Sequence, residues 1–381
     1  MIISILNRNS ILIKLVITKG KEMIKIEEKA KVYIVSPYHN TGGPKSLHQL
    51  ANILIDKGVD TYIVYYCNGK FIREPKILYD FCRAKVTQSV IDNESNTIIV
   101  PEIYHELLSS YSKITKVIWW LSLDFYLTTS LWEAVKKSTY RKGLPSFFVP
   151  AMLIKYIIND PTCLKKFKGL DDNKLKNYYH MYNCEYEKEY LLNQNVSTTK
   201  MSYLCGPLEE KFLDLNFEEI REYKKNIIAY NPAKMDMNFL KKVKNSLKNL
   251  NDNIEYVAIE NMTREQVFNA LKSAKVYIDF GFFPGPERMP REAVSLYCNI
   301  ITSTEGSAGN DDDVMIPREF KFNIKDKNSV GKVSNLINDM VRDYDNYVKY
   351  GDSYREKVRN QITGFSNQIE EIFELNKELE D

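Results

Sequence analysis

The sequence lacks closely spaced pairs of residues that bind metals or form disulfides. It has six cysteines and four histidines, with no Cys-x-x-Cys pair and no histidine at ligand spacing from a cysteine. This spacing argues against a structural zinc site and a disulfide framework, and it favours reduced thiols in a cytosolic protein. The scattered residues are Cys67, Cys82, Cys163, Cys184, Cys205, Cys298, His39, His48, His105 and His180.

The sequence also lacks an excess of charge of one sign. Its 53 Lys and Arg residues face 50 Asp and Glu residues, which gives a net charge of +3 and a pI near 8.3. A nucleic-acid-binding domain usually carries a stronger basic excess, so that class is disfavoured. Aromatic residues make up 12%, and there are only 15 Gly and 13 Pro, which disfavours disordered and collagen-like chains. The length of 381 residues favours two domains.

No apolar run approaches the ~20 residues that a membrane-spanning helix needs. Residues 1–19 are rich in Ile and Leu, but Arg8 and Lys14 interrupt them and no small-residue cleavage site follows. We interpret this segment as an extension before a domain that begins near Lys31. A working start at Met23 and a weak interfacial membrane anchor stay open as alternatives. We expect a cytoplasmic protein, peripheral to the inner face of the membrane at most.

Strand and helix patterns alternate through the first half of the chain. Leu47, Leu50, Ala51 and Leu54 share one face of a predicted helix that ends at Gly58. An alternating series of this kind predicts a parallel sheet with helices on both faces. The predicted strands cover residues 31–36, 61–66, 97–100 and 117–121, and a helical and loop region covers about 126–194.

The same alternation begins again in the second half. Asn238 is predicted to cap one helix, Thr263 and Gln266 form a capping box for the next, and Pro290 opens a third. The predicted strands cover residues 226–230, 254–259, 276–280 and 299–302. The fold class is therefore α/β, with two doubly wound, Rossmann-like domains that face each other across a cleft.

We predict four segments along the chain. Residues 1–30 form an N-terminal extension, residues 31–205 an N-terminal domain and residues 206–365 a C-terminal domain. Residues 366–381 form an amphipathic helix, and the residues on its apolar face are Ile369, Ile372, Phe373 and Leu379. Ligands of doubly wound sheets bind beyond the carboxyl ends of the strands, so we expect the site in the loops that face the cleft.

The first of these loops contains Gly42 and Gly43, immediately before Pro44. Free amides at a helix start bind anions or sugar hydroxyls, and an ordinary tight turn is the alternative. The loop matches neither the Walker A motif nor Gly-x-Gly-x-x-Gly.

The second loop, residues 279–293, is the most informative stretch of the chain. Glu287, Arg288, Arg291 and Glu292 are crowded at the start of a predicted helix. Arginine is unfavourable against the positive end of a helix dipole, but a bound dianion reverses that preference, and guanidinium pairs with phosphate in a bidentate way. We therefore predict a phosphate-binding loop, with a local Glu–Arg surface pair as the alternative.

The third loop contains Ser307, Ala308 and Gly309, where small residues allow a ligand to approach the backbone closely. We expect these backbone amides to contribute to the same ligand. The aspartates at 311–313 are predicted to form a solvated turn, because no further carboxylate pattern of a metal site accompanies them.

Further candidates follow other predicted strands. Asn231 and Lys234 follow the first strand of the second half, so that Lys234 can reach a phosphate in the cleft. Asp124 follows another strand and is a candidate general base, since burial raises a carboxyl pKa towards a useful range; a helix N-cap is the alternative role. His39 is a second candidate base. His48 and His180 are expected to be packing or helix-surface residues.

Taken together, these motifs resemble those of the GT-B glycosyltransferases. The resemblance covers about residues 31–360 and rests on TGGPKS, on Asn-Pro-x-Lys, and on PGPERMPREA followed by a strand and Gly-Ser-Ala. The most similar group is the bacterial enzymes of capsule and lipopolysaccharide sugar assembly.

The resemblance implies a nucleotide-sugar donor bound mainly by the C-terminal domain, an acceptor bound mainly by the N-terminal domain, and no metal or other cofactor. It assigns to Glu292 the second glutamate of a Glu-x7-Glu motif, near the donor ribose. Gly285 lies seven positions earlier and Glu287 is out of register, so the first glutamate has no match and retention or inversion stays open. Asn231 stands where related enzymes carry Arg.

The expected activity is sugar transfer to a saccharide or lipid-linked acceptor in cell-surface polysaccharide synthesis. Two alternatives stay open: another enzyme on the same architecture, such as a sugar-phosphate epimerase, and a non-catalytic nucleotide-sugar-binding module. A basic and aromatic segment could contact anionic lipid beside the acceptor, with a solvated helix face as the alternative. Its residues are Lys136, Lys137, Arg141, Lys142, Phe147 and Phe148.

Overall fold

The structure is a computed structural model. It describes residues 22–67, 69–127, 144–159, 172–233 and 235–375, together with positions 132, 135, 136, 138 and 139. Two parallel sheets, each covered by helices, form the molecule, which confirms the predicted α/β class.

The first sheet is built by the N-terminal half. Its strand order is β3-β2-β1-β5-β6-β7-β8, with β4 paired to β2, and only the β2–β3 pair is antiparallel. The strands are β1 (Lys31–Ser36), β2 (Asp60–Cys67), β3 (Lys70–Phe71), β4 (Lys85–Val86), β5 (Thr97–Pro101), β6 (Thr115–Trp120), β7 (Tyr179–Tyr182) and β8 (Met201–Tyr203). The helices are α1 (Gly42–Asp56), α2 (Leu123–Leu127), α3 (Val149–Asn159), α4 (Asp172–Leu175) and α5 (Glu185–Asn193).

The second sheet is parallel throughout, in the order β10-β9-β11-β12-β13. Its strands are β9 (Lys225–Tyr230), β10 (Glu255–Ala258), β11 (Ala274–Asp279), β12 (Asn299–Ser303) and β13 (Lys321–Phe322). The accompanying helices are α6 (Phe217–Arg221), α7 (Met237–Lys248), α8 (Arg264–Ser273), α9 (Arg288–Ser295), α10 (Ser329–Arg342), α11 (Tyr344–Tyr347) and α12 (Asp352–Ile372).

The predicted strands are present, but β7 and β8 lie in or just after a region interpreted as helix and loop. The sequence of β7, Tyr-His-Met-Tyr, is only four residues long and contains no run of Val or Ile, so the strand is hard to recognise without the pairing to β6. The capping box of Thr263 and Gln266 is confirmed, with both reciprocal hydrogen bonds formed.

Three predicted helix starts are wrong. Asp236, not Asn238, caps α7, because its Oδ1 accepts the backbone N–H groups of Asn238 and Phe239 at 2.9 and 3.0 Å. Helix α9 begins at Arg288, and Pro290 lies within its first turn, where a missing N–H is tolerated. Helix α12 begins at Asp352, well before residue 366.

The last helix returns to the N-terminal half of the chain. Phe365, Ile369 and Ile372 are buried in the core of the first sheet, and the Phe365 ring stacks near Trp119 with centroids 6.5 Å apart. The predicted apolar face at Ile369, Ile372 and Phe373 is therefore buried, whereas Leu379 lies outside the described residues. This packing ties the end of the chain to the first domain.

Part of the predicted N-terminal extension is also packed. Ile24 is buried in the same core, and its N–H donates to the Ile372 carbonyl at 2.8 Å. A helix long and apolar enough to cross a membrane does not occur in the described ranges.

Candidate functional site

The strand-end loops of the two sheets meet at one place. A Cβ on Gly42 would lie 3.0 Å from Arg288 Cδ, and a Cβ on Gly43 would lie 3.4 Å from Leu121 Cδ1. A Cβ on Gly285 would lie only 2.9 Å from the Leu121 carbonyl oxygen. Gly285 therefore lets the loop after β11 approach the loop after β6 more closely than a side chain would allow, and Gly42 lies tightly against Arg288.

A chain of alternating charges runs from α1 to the start of α9. Lys45 Nζ lies 2.6 Å from Glu209 Oε1, which also receives Arg264 Nε at 3.3 Å. Arg264 Nη2 in turn lies 2.6 Å from Glu292 Oε1, and Arg288 Nε lies 3.6 Å from that same oxygen. Three cations therefore face two carboxylates, which leaves one positive charge in excess.

Arg288 is the member of this chain best placed for an anion. It is partly buried, and burial lowers the pKa of its guanidinium below its ordinary value. Among the described residues its only ion pair is the long contact with Glu292, and its terminal amines make no hydrogen bond to those residues. These amines are donors whose solvation is reduced but which the described protein groups do not use, the state in which a charge-assisted bond to phosphate is strongest.

Glu292, predicted to hold a ribose, is fully buried and engaged by both arginines. Its first task in this arrangement is to orient the guanidinium groups, and a ribose hydroxyl would share the same carboxylate. Arg264 itself escaped the sequence analysis, because it follows Thr263 in the capping box and carries no motif of its own.

Arg291 lies apart from this cluster, contrary to expectation. Its buried Nη1 donates to the Gly206 carbonyl at 3.1 Å and to Gln361 Oε1 at 2.9 Å. The guanidinium therefore ties α9 to the segment after β8 and to α12. We assign Arg291 to this junction and leave it out of the donor site.

The loop after β12 also differs from expectation. The Ser307 N–H donates to the Phe283 carbonyl at 2.9 Å, and the Gly309 N–H donates to the Gly306 carbonyl at 3.1 Å. Ala308 is fully buried. The Ser307 and Gly309 amides are thus satisfied within the protein and are not available as phosphate ligands.

The two candidate bases differ in environment. Asp124 is buried in the first turn of α2, and its carboxylate adds to burial in raising the pKa of the neighbouring Tyr186. The preceding Leu123 N–H donates to the Pro284 carbonyl at 2.9 Å, so Asp124 lies where the two domains meet. His39 is exposed, with Nδ1 3.0 Å from Thr41 Oγ1.

Of the remaining predicted site residues, Glu287 and Asn231 lie in loops that follow strands of the second sheet, and Lys234 is not described. Glu287 is the N-cap residue of α9, and its carbonyl receives Arg291 Nε at 3.4 Å. Asn231 Oδ1 accepts the Ala233 N–H at 3.0 Å, which stabilises the turn after β9. Lys234 lies outside the described residues.

The first glutamate of a Glu-x7-Glu motif that ends at Glu292 would fall at Pro284, not at Gly285, because seven residues lie between the two glutamates. Pro284 carries no carboxylate either, so the gap in the motif is the same. Its carbonyl holds Leu123 of the first domain, which gives this loop a docking role.

The aspartates at 311–313 lie in a turn, as expected, with Asp311 and Asp312 exposed, but Asp313 is not solvated. Asp313 is buried, and its carboxylate accepts the N–H groups of Glu185 and Tyr186 at 2.7 and 2.9 Å. A side chain of the second domain thus caps α5 of the first. Asp311 is exposed and pairs with Lys321 at 2.8 Å. Within the described ranges no three His, Cys, Asp or Glu residues are grouped to hold a metal ion.

His48 and His180 are packing residues, as predicted. His48 bonds the Pro44 carbonyl and the Tyr65 hydroxyl, at 2.7 and 2.8 Å. His180 Nδ1 accepts Trp120 Nε1 at 3.0 Å. Burial lowers the pKa of both imidazoles to about 4.

Two buried glutamates beside the cleft were not predicted. Glu102 Oε2 accepts the Leu121 N–H at 2.9 Å, and burial raises the pKa of Glu102 to about 7. Glu187 Oε2 accepts the Asn183 N–H at 2.9 Å, and burial raises the pKa of that carboxyl well above its ordinary value. The burial of these two glutamates results from tertiary packing, which the local sequence pattern does not predict.

We expect Glu102→Gln to change how stability depends on pH. The folded protein keeps a proton on Glu102 up to about pH 7, whereas the unfolded chain releases it near 4.5, so this stabilisation is lost as pH rises between these values. Glutamine stays neutral. The variant should therefore gain about 3 kcal/mol in unfolding free energy over wild type between pH 4.5 and 8.

Urea unfolding of both proteins across that range measures this gain. Glu106→Gln, on the exposed side of the same segment, controls for removal of a charge. A constant difference between Glu102→Gln and wild type at every pH would contradict the assignment of a protonated Glu102.

Two solved structures match the fold of this chain over nearly their whole length. Sucrose-phosphate synthase from Thermosynechococcus elongatus matches with a TM-score of 0.56 at 12% identity, covering 90% of this chain and 97% of its own. Anabaena HepE, solved with UDP and glucose, matches with a TM-score of 0.55 at 8% identity, covering 89% and 98%. At these identities the likeness shows the fold alone.

The comparisons by sequence found no match. No protein-family model matches the chain, and no curated protein does. The match to these solved structures therefore rests on the backbone arrangement of two parallel-sheet domains. The chain has the GT-B fold.

Proposed function

We propose that the protein is a glycosyltransferase that moves a sugar from a nucleotide-sugar donor to a saccharide or lipid-linked acceptor. The observation that carries this proposal is Arg288, whose terminal guanidinium amines make no hydrogen bond to the described residues and whose side chain lies directly beside Gly42 of the opposite domain. A diphosphate is the group that this position suits, because it combines negative charge with oxygens that accept bidentate hydrogen bonds.

The donor class is a uridine diphosphate sugar. The solved Anabaena HepE of the same fold holds UDP and glucose, and a second HepE structure, with a TM-score of 0.51, holds UDP-glucose. In this chain Arg288 would bind the diphosphate, with Lys234 as a second cation. Glu292 would hold Arg288 and Arg264 in place and share a ribose hydroxyl.

The reaction needs a base and a stabilised leaving group. Asp124 would accept the proton of the acceptor hydroxyl as the new glycosidic bond forms, with His39 as the second candidate. The diphosphate leaves with the electron pair of the broken sugar–oxygen bond, and the cations offset its growing charge without a metal ion. Glu287 lies in the loop before α9 and is the third candidate catalytic residue, through contact of its carboxylate with the sugar.

The acceptor follows from the same proposal. We place the protein in cell-surface polysaccharide synthesis, of the capsule or lipopolysaccharide kind, on the cytoplasmic side of the membrane. The alternatives are separated by products, since an epimerase returns an altered donor and a binding module returns none.

A two-step experiment tests the function. Thermal shift with UDP, GDP, CMP and ADP first identifies the nucleotide, and we expect UDP to raise the melting temperature most. Incubation with the matching nucleotide sugars and saccharide acceptors, with and without EDTA, should then release UDP and form a glycoside in both conditions. An epimerised donor, or binding of UDP without turnover on soluble and lipid-linked acceptors, would reject the proposal.

A further inference from the structure

Helix α3 (Val149–Asn159) carries an apolar stripe that faces outward. Pro150, Ile154 and Ile158 recur every fourth residue and are all exposed, Ile154 to 60% and Ile158 to 71%. Residues at this spacing share one face of a helix, and in a water-soluble helix such a face normally packs inward. The stripe therefore leaves an apolar surface that needs a partner.

The neighbouring face of the same helix, about 100° around its axis, is turned towards the protein. Val149 is buried, and Leu153 and Ile157, at the same four-residue spacing, are partly buried. The helix is thus apolar over two adjacent faces, and the outward stripe extends beyond the face that is turned towards the protein. Phe147, 72% exposed, and Phe148 extend the surface, with ring centroids 4.5 Å apart.

The segment of the sequence that contains this surface is basic. Between positions 136 and 176 there are ten Lys and Arg residues and three Asp residues, in a chain that is otherwise nearly balanced. Lys155 is exposed on the helix itself, and Lys174 is exposed in α4. Lys136 is also among the described residues, whereas Lys137, Arg141 and Lys142 lie outside them.

Apolar side chains with a local basic excess match the chemistry of an anionic bilayer. Exposed Ile and Phe side chains can enter the boundary of the acyl chains, while Lys and Arg attract acidic headgroups by about 1 kcal/mol each. An apolar surface of a protein partner explains the stripe but not the charge. We propose that α3 and Phe147–Phe148 form a docking surface for an anionic membrane.

The place of this surface in the fold bears on the acceptor. It lies in the connection between β6 and β7, which leaves the sheet at the carboxyl end of β6, the edge that carries Asp124. If the proposed function holds, docking would bring the acceptor side of the cleft to the surface where lipid-linked sugars lie. The docking surface itself does not depend on that function.

Vesicle binding of the full chain tests the proposal. Wild type should co-sediment with vesicles of phosphatidylcholine and phosphatidylglycerol, and much less with phosphatidylcholine alone. The double variant Ile154→Asp/Ile158→Asp should lose about tenfold or more of this binding. The matched control is Ile91→Asp/Leu250→Asp, which changes two residues that are 52% and 50% exposed elsewhere, and it should bind like wild type.

Three further readouts separate the outcomes. The melting temperatures of the two double variants should agree, which shows that α3 tolerates the change. Transfer to a soluble acceptor should be unchanged in Ile154→Asp/Ile158→Asp. If wild type transfers no sugar but still binds vesicles, the proposed function is rejected and the docking proposal stands. Equal binding of both double variants, no binding by wild type, or a wild-type dimer in light scattering that the α3 variant abolishes would overturn the docking proposal.

Discussion

Asp124→Asn should lower the turnover number by about 10²- to 10⁴-fold, which corresponds to roughly 3–5 kcal/mol of barrier. Asparagine keeps the size of the side chain in the first turn of α2 but cannot accept a proton from the acceptor hydroxyl. Because the lost step is chemical, we expect the affinity for the donor to stay within about twofold of wild type. Steady-state kinetics with calorimetric titration of the nucleotide measures both quantities.

His39→Gln is the matched control for this experiment. The imidazole is exposed and contacts Thr41, so its loss should leave turnover nearly unchanged if Asp124 is the base. The opposite pattern, with full activity in Asp124→Asn and a large loss in His39→Gln, would transfer the base role to the histidine. A loss of nucleotide affinity in Asp124→Asn would instead show damage to the domain junction.

Arg288→Ala should weaken nucleoside diphosphate binding by about 10- to 150-fold, since a hydrogen bond to a charged group contributes roughly 1.5–3 kcal/mol. Its terminal amines make no hydrogen bond to the described residues, and the ion pair with Glu292 orients the side chain. Arg288→Lys should recover only part of the loss, because lysine keeps the charge but not the planar fork. Calorimetric titration with UDP and with uridine separates the phosphate contribution from that of the base.

Arg318→Ala provides the control for removal of an arginine. Arg318 is an exposed residue whose ion pair with Asp311 spans 3.7 Å. We expect its loss to leave nucleotide affinity unchanged. If Arg288→Ala bound UDP as tightly as Arg318→Ala does, the diphosphate would not lie at the start of α9.

The fold was predictable where local pattern and tertiary environment agree. The strand at 31–36 and the capping box at Thr263 combine a strong local signal with the burial that the fold requires. The helix start at Arg288 and the early start of α12 were misplaced, because neither has a side-chain cap to mark it. Strand β7 could be identified only from its pairing with β6 in the structure.

The site was predictable in part, for a related reason. Arg288 and Gly42 lie in loops whose composition is unusual, and the structure brings them together. Arg264 and Glu102 join the same region through tertiary contacts that their neighbours in sequence do not indicate. Arg291 shows the converse: a residue that a motif singles out can be used by the packing between two domains.

The central claim is that the Arg288 guanidinium, beside Gly42 where the two domains meet, binds the diphosphate of the donor. A crystal structure of the protein with UDP tests it most directly. The account predicts diphosphate oxygens within hydrogen-bond distance of the Arg288 guanidinium, next to the Gly42–Gly43 amides. UDP bound elsewhere, for example in the cavity of about 560 Å³ lined by Lys188 and Lys357, with Arg288 still free of phosphate, would contradict it.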